Sequence, residues 1–552
     1  MNLSHFLAQL GLFSSVLATL TANCTLEEIR PSKTLTWCPC NGVYFCARLD
    51  VPLDYHNPNL SRASIPIVKL PARNNSSSGS YQGMILLNPG GPGASGVSEA
   101  LNNASIIQAV VGTNWDIVGF DTRGMWLSEP LANCSSGIVP GENATLVSRS
   151  VPRVSDEFYD VLIEFGKEVG EQCERSIGGK TEIGPYMSTA INARDMLSIV
   201  HAFAQTDDGA RAAKPGHLLN YYGISYGTFL GQTFASMFPT RVGNMVLDGV
   251  VNPQSYLTNY TSASINHLDG IIASFFIYCN AAGPSQCSFY TGCTPKDIYE
   301  RFNQSFIELD PRRAEREGWT NATDLEAALL ILKVTLLSAA DAPFGYFNIL
   351  PNILIDLESA IAVHDIRPWV DQLTTRYGNP ITDYEHPEWS LGVLCSDQNN
   401  HLYNKTLEDL KAQLHDLEAQ NIIGEIWSHA VLGCTGWSIK SSEIYPGPFG
   451  GDTATPILFV SNTYDPVTPI ENSLASAPNY KNAQILTIDG MGHTSSATQN
   501  YCAFEKIATY FQTGKLPGND SFCPLETGTF NIILNGTLSE NIKQAGLENL
   551  VN

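Results

Sequence analysis

Basic residues are scarce in this 552-residue sequence, in which 31 Lys and Arg stand against 54 Asp and Glu. The formal net charge at pH 7 is therefore −23. Nucleic acid as a partner is disfavoured, because its phosphates need a basic protein surface. Docking on anionic lipid is disfavoured for the same reason. Charged residues make up only 15% of the chain, without a long run of one sign, so the acidity is spread over the surface.

Long apolar runs are rare as well. Residues 6–20 form one, but it is too short to span a bilayer comfortably and predicts a signal peptide over 1–22, cleaved after Ala18 or Ala22. A buried N-terminal helix is the alternative, since the basic residues that usually precede such a run are missing. The most apolar later stretch, 327–339, is interrupted by Lys333, so we predict no stable membrane anchor.

Glycosylation sequons, in contrast, are frequent. A single Asn-X-Ser/Thr pattern means little, but so many indicate a glycosylated surface and export from the cell. The predicted sites are Asn23, Asn59, Asn74, Asn75, Asn103, Asn133, Asn143, Asn259, Asn303, Asn321, Asn404, Asn519 and Asn535.

The 13 cysteines lack the paired spacing of a zinc site, so disulfides in an oxidising compartment are the better interpretation. Their order along the chain predicts three pairs: Cys134 with Cys173, Cys395 with Cys434, and Cys502 with Cys523. The clusters at 24–46 and 279–293 allow several pairings. Because the number is odd, at least one thiol is left over. Together with the sequons, this predicts a secreted protein.

A recurrent pattern indicates the fold class. Short apolar runs end in Gly, Asp or Asn and are followed by helical patterns, which predicts an α/β fold with a mostly parallel, doubly wound sheet. Functional residues are then expected where the strands end. The runs lie at 84–87, 115–120, 218–222, 245–247, 457–460 and 485–488, and two further runs at 43–49 and 64–70 suit an antiparallel edge.

The alternation breaks between about 253 and 450. Helical patterns replace it there, such as the leucines of 407–417, which Thr406 and Asp409 precede in the spacing of a capping box. We therefore predict an inserted, mainly helical cap over 253–450. The flanking segments, 23–252 and 451–552, together form one catalytic core.

One motif predicts a nucleophile. Gly223-Ile224-Ser225-Tyr226-Gly227 matches G-x-S-x-G, follows a strand pattern and precedes a helix rich in small residues. That order is the strand–turn–helix of a nucleophile elbow, in which the serine backbone is strained. The alternative is a glycine-rich turn with an idle serine.

A serine hydroxyl needs a base to take its proton and an acid to orient that base. In an α/β-hydrolase the chain order is serine, acid, histidine. His493 is the histidine that lies at a strand end and follows every candidate acid. Asp465, directly after the run 457–460, is the predicted acid. Asp248 at the end of an earlier strand is the competitor, and Asp489 is too close to His493 along the same loop.

Acyl transfer also needs donors for the developing oxyanion. We predict the backbone N–H groups of Gly91, in the loop Asn88-Pro89-Gly90-Gly91-Pro92-Gly93, and of Tyr226. The same loop matches G-x-G-x-x-G at 91–96, but Pro92 lies within the turn, and Asp116, which has roughly the required spacing, begins the next strand instead of ending it. We therefore predict no dinucleotide and no other cofactor.

With these residues in place, the chain resembles the secreted tripeptidyl aminopeptidase-like branch of the prolyl aminopeptidase family of α/β-hydrolases. The resemblance spans nearly the whole mature chain, and 455–523 is similar to that family's C-terminal region. It implies a Ser225–Asp465–His493 triad, release of short peptides or residues from free N-termini, and no metal. The segments that carry it are 46–55, 88–96, 121–124, 220–231, 246–250, 465–469 and 492–493.

Two departures from the family pattern bear on the pocket. The family commonly has Gly two residues after the Arg-Gly pair, where this chain has Trp126, and a Gly after the histidine, where it has Thr494. Trp126 is therefore a candidate for the pocket wall. An exopeptidase also needs a carboxylate for the substrate ammonium, and Asp397 in the cap is our candidate.

Three functions remain in competition after this step. The first is a secreted serine exopeptidase acting on free N-termini. The second keeps the triad but acts on a small metabolite, as an esterase, lactonase or amidase, because the fold hosts both chemistries. The third, a non-catalytic binding protein, is disfavoured because every catalytic position carries a competent residue. The predicted partner is accordingly a peptide or a small-molecule substrate.

Overall fold

The computed structural model describes residues 24–73, 80–134, 156–258, 264–310, 319, 322–377 and 386–548. The predicted signal peptide over 1–22 lies outside the described residues. The same is true of six predicted glycosylation sites: Asn23, Asn74, Asn75, Asn143, Asn259 and Asn321.

A single sheet organises the core. In the described part of the chain it has ten strands in the order β1-β2-β3-β5-β4-β6-β7-β8-β9-β10. The strands β1, β2 and β3 pair antiparallel at one edge, and β5, β4, β6, β7, β8, β9 and β10 pair parallel. The strands are β1 Cys38–Cys40, β2 Tyr44–Pro52, β3 Arg62–Leu70, β4 Gly83–Asn88, β5 Trp115–Phe120, β6 Leu219–Ile224, β7 Val242–Asp248, β8 Leu458–Tyr464, β9 Gln484–Met491 and β10 Phe522–Cys523.

Eighteen α-helices accompany these strands in the described residues. The helices before β8 are α1 Gly96–Val111, α2 Asp156–Ile177, α3 Thr189–Ala204, α4 Asp207–Arg211, α5 Tyr226–Met237, α6 Pro253–Thr258, α7 Leu268–Ala282, α8 Pro295–Glu308, α9 Ala322–Asp341, α10 Pro343–Tyr346, α11 Leu350–Ala362, α12 Arg367–Tyr377, α13 Pro387–Asp397, α14 Leu407–Glu418 and α15 His429–Leu432. After β8 come α16 Ile470–Ser476, α17 Tyr501–Thr513 and α18 Leu538–Gln544.

Helices cover both faces of the sheet, and every residue of β4 and β5 is buried. This burial explains why the two strands are mostly apolar without alternating polar positions. On one face α1 and α17 pack against each other, and Ala100 and Ile507 belong to the apolar core there. On the other face α3 packs against α5, and Ile191 and Phe229 belong to the second core. The predicted α/β fold with a mostly parallel sheet is confirmed.

The described residues between β7 and β8 form helices and loops but no strand, although these two strands are neighbours in the sheet. The inserted segment therefore leaves the sheet and returns to it at the adjacent position. Within it, α14 begins with the capping box of Thr406 and Asp409 that the sequence predicts. The cap boundaries at 253 and 450 remain predictions.

Helix α2 precedes β6 in sequence but packs against the inserted segment. Its Gly166 and Gly170 approach the backbone of Gly433 and Gly436 so closely that a Cβ at either position would meet a carbonyl oxygen, at 2.7 and 2.0 Å. A disulfide from Cys173 in α2 to Cys134 reinforces this position. The cap layer therefore includes a helix from the segment 23–252, which the sequence alone does not reveal.

Six disulfides are present in the described residues. Three are the predicted pairs, Cys134–Cys173, Cys395–Cys434 and Cys502–Cys523. The others resolve the two open clusters, as Cys24–Cys38, Cys40–Cys46 and Cys279–Cys287. The thiol left over is that of Cys293, which is exposed.

The described sequons lie mostly at the surface. Asn103 is half-buried, and its amide donates to Glu99. No helix among the described residues has both the length and the apolar character needed to span a membrane. The exposed sequon asparagines are Asn59, Asn133, Asn303, Asn404, Asn519 and Asn535.

Candidate active site

Ser225 occupies the sharp turn between β6 and α5. Its backbone has φ 56° and ψ −125°, a strained conformation for a residue with a side chain. The flanking glycines are required by close approach: a Cβ on Gly223 would lie 2.5 Å from the Gly227 carbonyl oxygen, and one on Gly227 would lie 2.5 Å from that of Asn88. The G-x-S-x-G motif thus folds as a nucleophile elbow.

His493 and Asp465 meet at the ends of β9 and β8. The imidazole Nδ1 lies 3.0 Å from Asp465 Oδ2 and 3.1 Å from Oδ1. The carboxylate is fully buried and also accepts the backbone N–H groups of Val467, Thr468 and Thr494, at 3.0, 2.8 and 3.1 Å. These donors fix its orientation, so that it presents both oxygens to Nδ1.

The electrostatics of this pair favour an ionised acid and a basic imidazole. Burial by itself lowers the pKa of His493, but the charge and hydrogen bond of Asp465, with Asp341 and Asp248 behind it, raise the pKa to about 9. Burial raises the pKa of Asp465, but the charge of His493, its hydrogen bond and two backbone donors outweigh burial and hold that pKa below its usual range. The imidazole can thus take up a proton at Nε2 while Nδ1 stays bound to a carboxylate.

Asp248, the competing acid, has other partners. It is buried, and it accepts the backbone N–H and the hydroxyl of Ser495 at 2.9 and 2.5 Å and the hydroxyl of Tyr222 at 2.8 Å. Burial, only partly offset by these bonds, raises its pKa. Asp248 therefore ties the end of β7 to the loop that follows His493, while Asp465 contacts the imidazole itself.

Ser225 and His493 are both anchored beside the turn that ends β7. The Ser225 N–H donates to the Asp248 carbonyl at 3.0 Å, and a Cβ on the next residue, Gly249, would lie 3.2 Å from His493 Cε1. Thr468, whose Oγ1 is 3.2 Å from His493 Nδ1, lines the same cavity as Ser225. Within the described chain the Ser225 hydroxyl forms no hydrogen bond; such bonds often tighten only when substrate binds.

The predicted oxyanion loop packs directly onto the elbow. Gly90 and Gly91 have φ of 103° and 104°, which only glycine adopts without strain. A Cβ on Gly90 would lie 2.8 Å from Ser225 Cβ and 3.0 Å from the Tyr226 nitrogen. Neither Gly91 N–H nor Tyr226 N–H donates to another described residue, and both residues border the cavity at Ser225. Two unused donors therefore lie beside the serine.

A cleft with about 480 Å³ of empty space, part of it open to solvent, lies beside Ser225. Core and cap residues share its wall. The described lining consists of Gly91, Ser225 and Tyr226 from the loop and elbow, Val251, Asn252, Ser255 and Tyr256 after β7, Ser264 and Trp427 from the inserted segment, and Val467, Thr468 and Asn472 after the acid.

Trp126 lies against the oxyanion loop. Its indole N–H donates to the Gly93 carbonyl at 2.8 Å, its ring lies 5.0 Å from that of Trp389 in α13, and 47% of the residue is exposed. It is not among the described residues that line the cavity. Trp126 and Thr494 both have positive φ, at 50° and 69°. Both turns therefore hold a residue with a side chain in a strained backbone conformation.

Asp397 is buried behind the cavity wall. It accepts the N–H and hydroxyl of Thr189 at 2.8 and 2.5 Å and the hydroxyl of Tyr256 at 3.2 Å. Thr189 also hydrogen-bonds the hydroxyl of Tyr226. Burial, only partly offset by these bonds, raises the pKa of Asp397 to about 7. The contact predicted between Asp397 and a substrate ammonium remains a prediction, and these bonds favour a positioning role.

One neighbour of His493 lies outside every motif of the sequence. The His493 N–H donates to the backbone carbonyl of Asp341, the last residue of α9, at 2.9 Å. A Cβ on Gly492 would lie 2.7 Å from Pro343, which begins α10. The inserted segment thus touches the histidine loop directly. Asp341 follows a helical pattern, and no motif distinguishes it from other acidic residues of the cap. Among the described residues no group of three or more His, Cys, Asp or Glu side chains is arranged to hold a metal ion.

Comparison with known proteins agrees with this geometry. Residues 83–274 match the family model for the alpha/beta hydrolase fold, and 420–523 match that for a TAP-like protein. The chain is 26% identical over 531 residues to the serine protease Hip1 of Mycobacterium tuberculosis, covering 90% of this chain and 92% of that one. It is 24% identical over 488 residues to the tripeptidyl aminopeptidase of Streptomyces lividans, covering 87% and 83%.

A further relative is named for a different activity. Carboxylesterase B of Mycobacterium tuberculosis is 26% identical over 495 residues, covering 87% of this chain and 86% of that one. Together, the family models and relatives confirm the resemblance and the fold that the sequence predicts.

Proposed function

We propose that this chain, a serine hydrolase with the α/β-hydrolase fold, is an exopeptidase that releases short peptides or single residues from free N-termini through an acyl-enzyme. Relatives named serine protease and tripeptidyl aminopeptidase, which align with most of the chain, support peptide substrates. The match of 420–523 to a TAP-like protein points in the same direction.

In this proposal Ser225 Oγ attacks the scissile carbonyl carbon while His493 Nε2 takes the hydroxyl proton. Asp465 stabilises the imidazolium at Nδ1, and the N–H groups of Gly91 and Tyr226 bind the oxyanion. Collapse breaks the C–N bond, and His493 gives its proton to the leaving amine. Water then attacks the acyl-enzyme with His493 as base, which releases the N-terminal fragment and restores Ser225.

A single observation carries this mechanism. The buried Asp465 and the half-buried His493 are paired at one end of the sheet, next to a cavity that Ser225 and two residues with unused N–H donors border. Each group matches one requirement of acyl transfer: a nucleophile, a base with its orienting acid, and donors for the oxyanion.

We further propose that the protein is exported and glycosylated. Six disulfides support an oxidising compartment, and the described sequons are mostly exposed. Protein from the culture medium of its natural host is expected to lose apparent mass on treatment with an endoglycosidase. Exclusively intracellular protein without attached glycan would contradict this part of the proposal.

The exopeptidase function is tested with mono-, di- and tripeptidyl anilides, each with a free and an acetylated N-terminus. We expect cleavage of the free forms and a large loss on acetylation. Ser225→Ala serves as the control and should abolish turnover. Full turnover in that variant would overturn every enzymatic proposal made here.

The alternative is an esterase, lactonase or amidase acting on a small metabolite, which the relative named carboxylesterase B favours. Anilide cleavage that ignores acetylation, together with faster hydrolysis of simple esters, would replace the exopeptidase by this second function. The serine chemistry would be unchanged in that case.

A further inference from the structure

A helix of the inserted segment, α13, packs directly on the loop that carries the Gly91 donor. The hydroxyl of Ser390 in this helix donates to the Pro92 carbonyl at 2.5 Å. A Cβ on Gly93 would lie 2.7 Å from the same hydroxyl oxygen, so helix and loop are in close contact. Gly91 packs on this part of the loop in turn, since a Cβ there would lie 2.7 Å from the Gly93 nitrogen. A shift of α13 would therefore move the backbone against which Gly91 rests.

The next carbonyl of the loop is bound by a residue that itself packs on α13. The indole N–H of Trp126 donates to the Gly93 carbonyl at 2.8 Å, and the Trp126 ring lies 5.0 Å from that of Trp389 in the helix. No other described group donates to the carbonyl of Pro92, which is buried, or to that of Gly93, which is half-buried. Backbone carbonyls in such positions are normally paired, so these two donors fix consecutive peptide groups after Gly91.

Helix α13 is tied to the core at its other end. Its last residue, Asp397, accepts the N–H and hydroxyl of Thr189, which begins α3, at 2.8 and 2.5 Å. Cys395 in the last turn is joined to Cys434 by a disulfide. Ser390 and Asp397 are spaced i and i+7, so they lie on one face of the helix about two turns apart. The face of α13 that contacts the loop is therefore the face that binds the core.

We propose that α13 positions the oxyanion hole, with Ser390 as the residue through which the cap fixes the Gly91 donor. Trp126, from the segment 23–252, supports the same loop. Neither Ser390 nor Trp126 is among the described residues that line the cleft beside Ser225, so both act through the loop backbone. The proposal rests on the acyl transfer of the proposed function and holds for a peptide or an ester substrate alike.

The physical reason is the steep dependence of oxyanion stabilisation on geometry. Donors in an oxyanion hole must lie about 2.7–3.1 Å from the charged oxygen, and loss of one donor lowers kcat by about 10²–10³-fold. A donor that is displaced but not removed should lose part of this effect. Because the charge develops only in the transition state, the loss should appear in kcat and hardly in KM.

The test compares Ser390→Ala with the wild type on the best peptidyl anilide. We expect kcat to fall about 10-fold while KM stays within about 2-fold. A peptidyl trifluoromethyl ketone supplies a second readout. Ser225 Oγ adds to its carbonyl carbon, the hydroxyl proton passes to His493, and the ketone oxygen becomes the bound oxyanion. Its inhibition constant should rise by the same factor as kcat/KM falls, because both report oxyanion binding.

Three further variants separate positioning from general packing. Ser390→Thr, which keeps the hydroxyl, should retain kcat within about 3-fold of the wild type. Trp126→Phe, which keeps a ring on Trp389 but loses the N–H, should lower kcat and inhibitor affinity together. Ser359→Ala is the matched control, because this hydroxyl also donates to a carbonyl, that of Ile355 at 2.9 Å, but lies exposed on α11. It should change neither quantity.

Unchanged kcat and inhibitor affinity in Ser390→Ala would overturn the proposal, and so would a loss confined to KM. The ascending limb of the pH–rate profile should stay in place in this variant, and a shifted limb would overturn the proposal by showing that His493 had moved. Thermal unfolding checks each fold, and Trp126→Phe carries the test if Ser390→Ala is unstable. A wild type that cleaves esters but no free peptidyl anilide would reject the exopeptidase function, and the same ratios measured on esters would still test α13.

Discussion

Strands β7 and β8 are parallel neighbours, and each is completed by a buried aspartate close to His493. Asp465, after β8, presents both oxygens to the imidazole at 3.0 and 3.1 Å. Asp248, at the end of β7, binds Ser495 and Tyr222 instead. The two carboxylates occupy equivalent positions at the ends of neighbouring strands but bind different partners. Asp465 binds the imidazole of His493, whereas Asp248 binds the loop that follows His493.

The difference lies in the turn that follows each strand. After β8 the chain folds back so that the N–H groups of Val467 and Thr468 clamp one oxygen of Asp465 and aim the carboxylate at Nδ1. The two carboxyl groups therefore differ in pKa. Burial raises the pKa of Asp465, but His493 outweighs it and the pKa lies below its usual range, whereas burial raises the pKa of Asp248. A position near His493 is thus not enough to make an aspartate the partner of the imidazole. The backbone donors of the following turn decide which carboxylate points at Nδ1.

The largest expected effect comes from Asp465→Asn. An amide cannot stabilise the imidazolium, so kcat should fall by about 10⁴-fold, the loss typical of a triad acid. Steady-state kinetics on the best anilide substrate measures it, with thermal unfolding to show that the fold survives. A loss of less than about 10-fold would mean that Asp465 is not the acid.

Asp248→Asn should affect stability more than turnover. The amide retains one acceptor for the three donors of Ser495 and Tyr222, so unfolding free energy should fall by about 1–3 kcal/mol. We expect kcat/KM to fall less than about 10-fold, far below the loss for Asp465→Asn. Urea unfolding with parallel kinetics checks both. A collapse of kcat in a folded Asp248→Asn protein would reverse the assignment of the two aspartates.

Much of this site is predictable from sequence because the catalytic candidates sit at strand ends within recognisable turns. Ser225 is framed by glycines that close packing requires, and Asp465 and His493 each directly follow a strand pattern. The contact of Asp341 with His493 and the contact of α2 with the cap could not be predicted in this way. They depend on how distant helices pack against one another, and such packing produces no local periodicity or motif in the sequence.

The disulfides likewise divide into pairs that the sequence predicts and pairs that it does not. Widely spaced pairs such as Cys395–Cys434 follow from order along the chain, whereas the N-terminal cluster pairs as Cys24–Cys38 and Cys40–Cys46. The second of these pairs joins the paired strands β1 and β2 although their register sets Cys46 opposite Cys38, so neither chain order nor register predicts it. The partners of Asp397 are likewise tertiary, since Thr189 and Tyr256 lie in helices far away in sequence.

A smaller effect is expected from Asp341, whose charge also reaches His493. With the pKa of His493 at about 9, kcat/KM should rise with pH as the imidazole becomes a free base. Asp341→Asn removes a negative charge that favours the imidazolium, so this ascending limb should move to lower pH. The pH–rate profile measures the shift, with Asp356→Asn at an exposed position of α11 as control. A shift to higher pH would contradict the electrostatic account.

The smallest effect on turnover is expected from Asp397, which is buried like Asp465 and Asp248 but does not contact His493. Burial raises its pKa from 3.8 to about 7, so ionisation costs stability in the folded state. Its contribution to unfolding free energy should therefore decline as pH rises between those values and stay level above them. Asp397→Asn should flatten this part of the curve, measured by urea unfolding at pH 5 and pH 8. An unchanged slope would show that Asp397 titrates normally.

The central claim, that Ser225 is the nucleophile activated by His493 and Asp465, is tested most directly by a fluorophosphonate probe and mass spectrometry of the digested protein. We predict a single adduct on the peptide that contains Ser225, formed rapidly in the wild type and slowed strongly by His493→Ala and Asp465→Asn. Equally fast labelling in the two variants, or an adduct on another residue that persists in Ser225→Ala, would contradict the account.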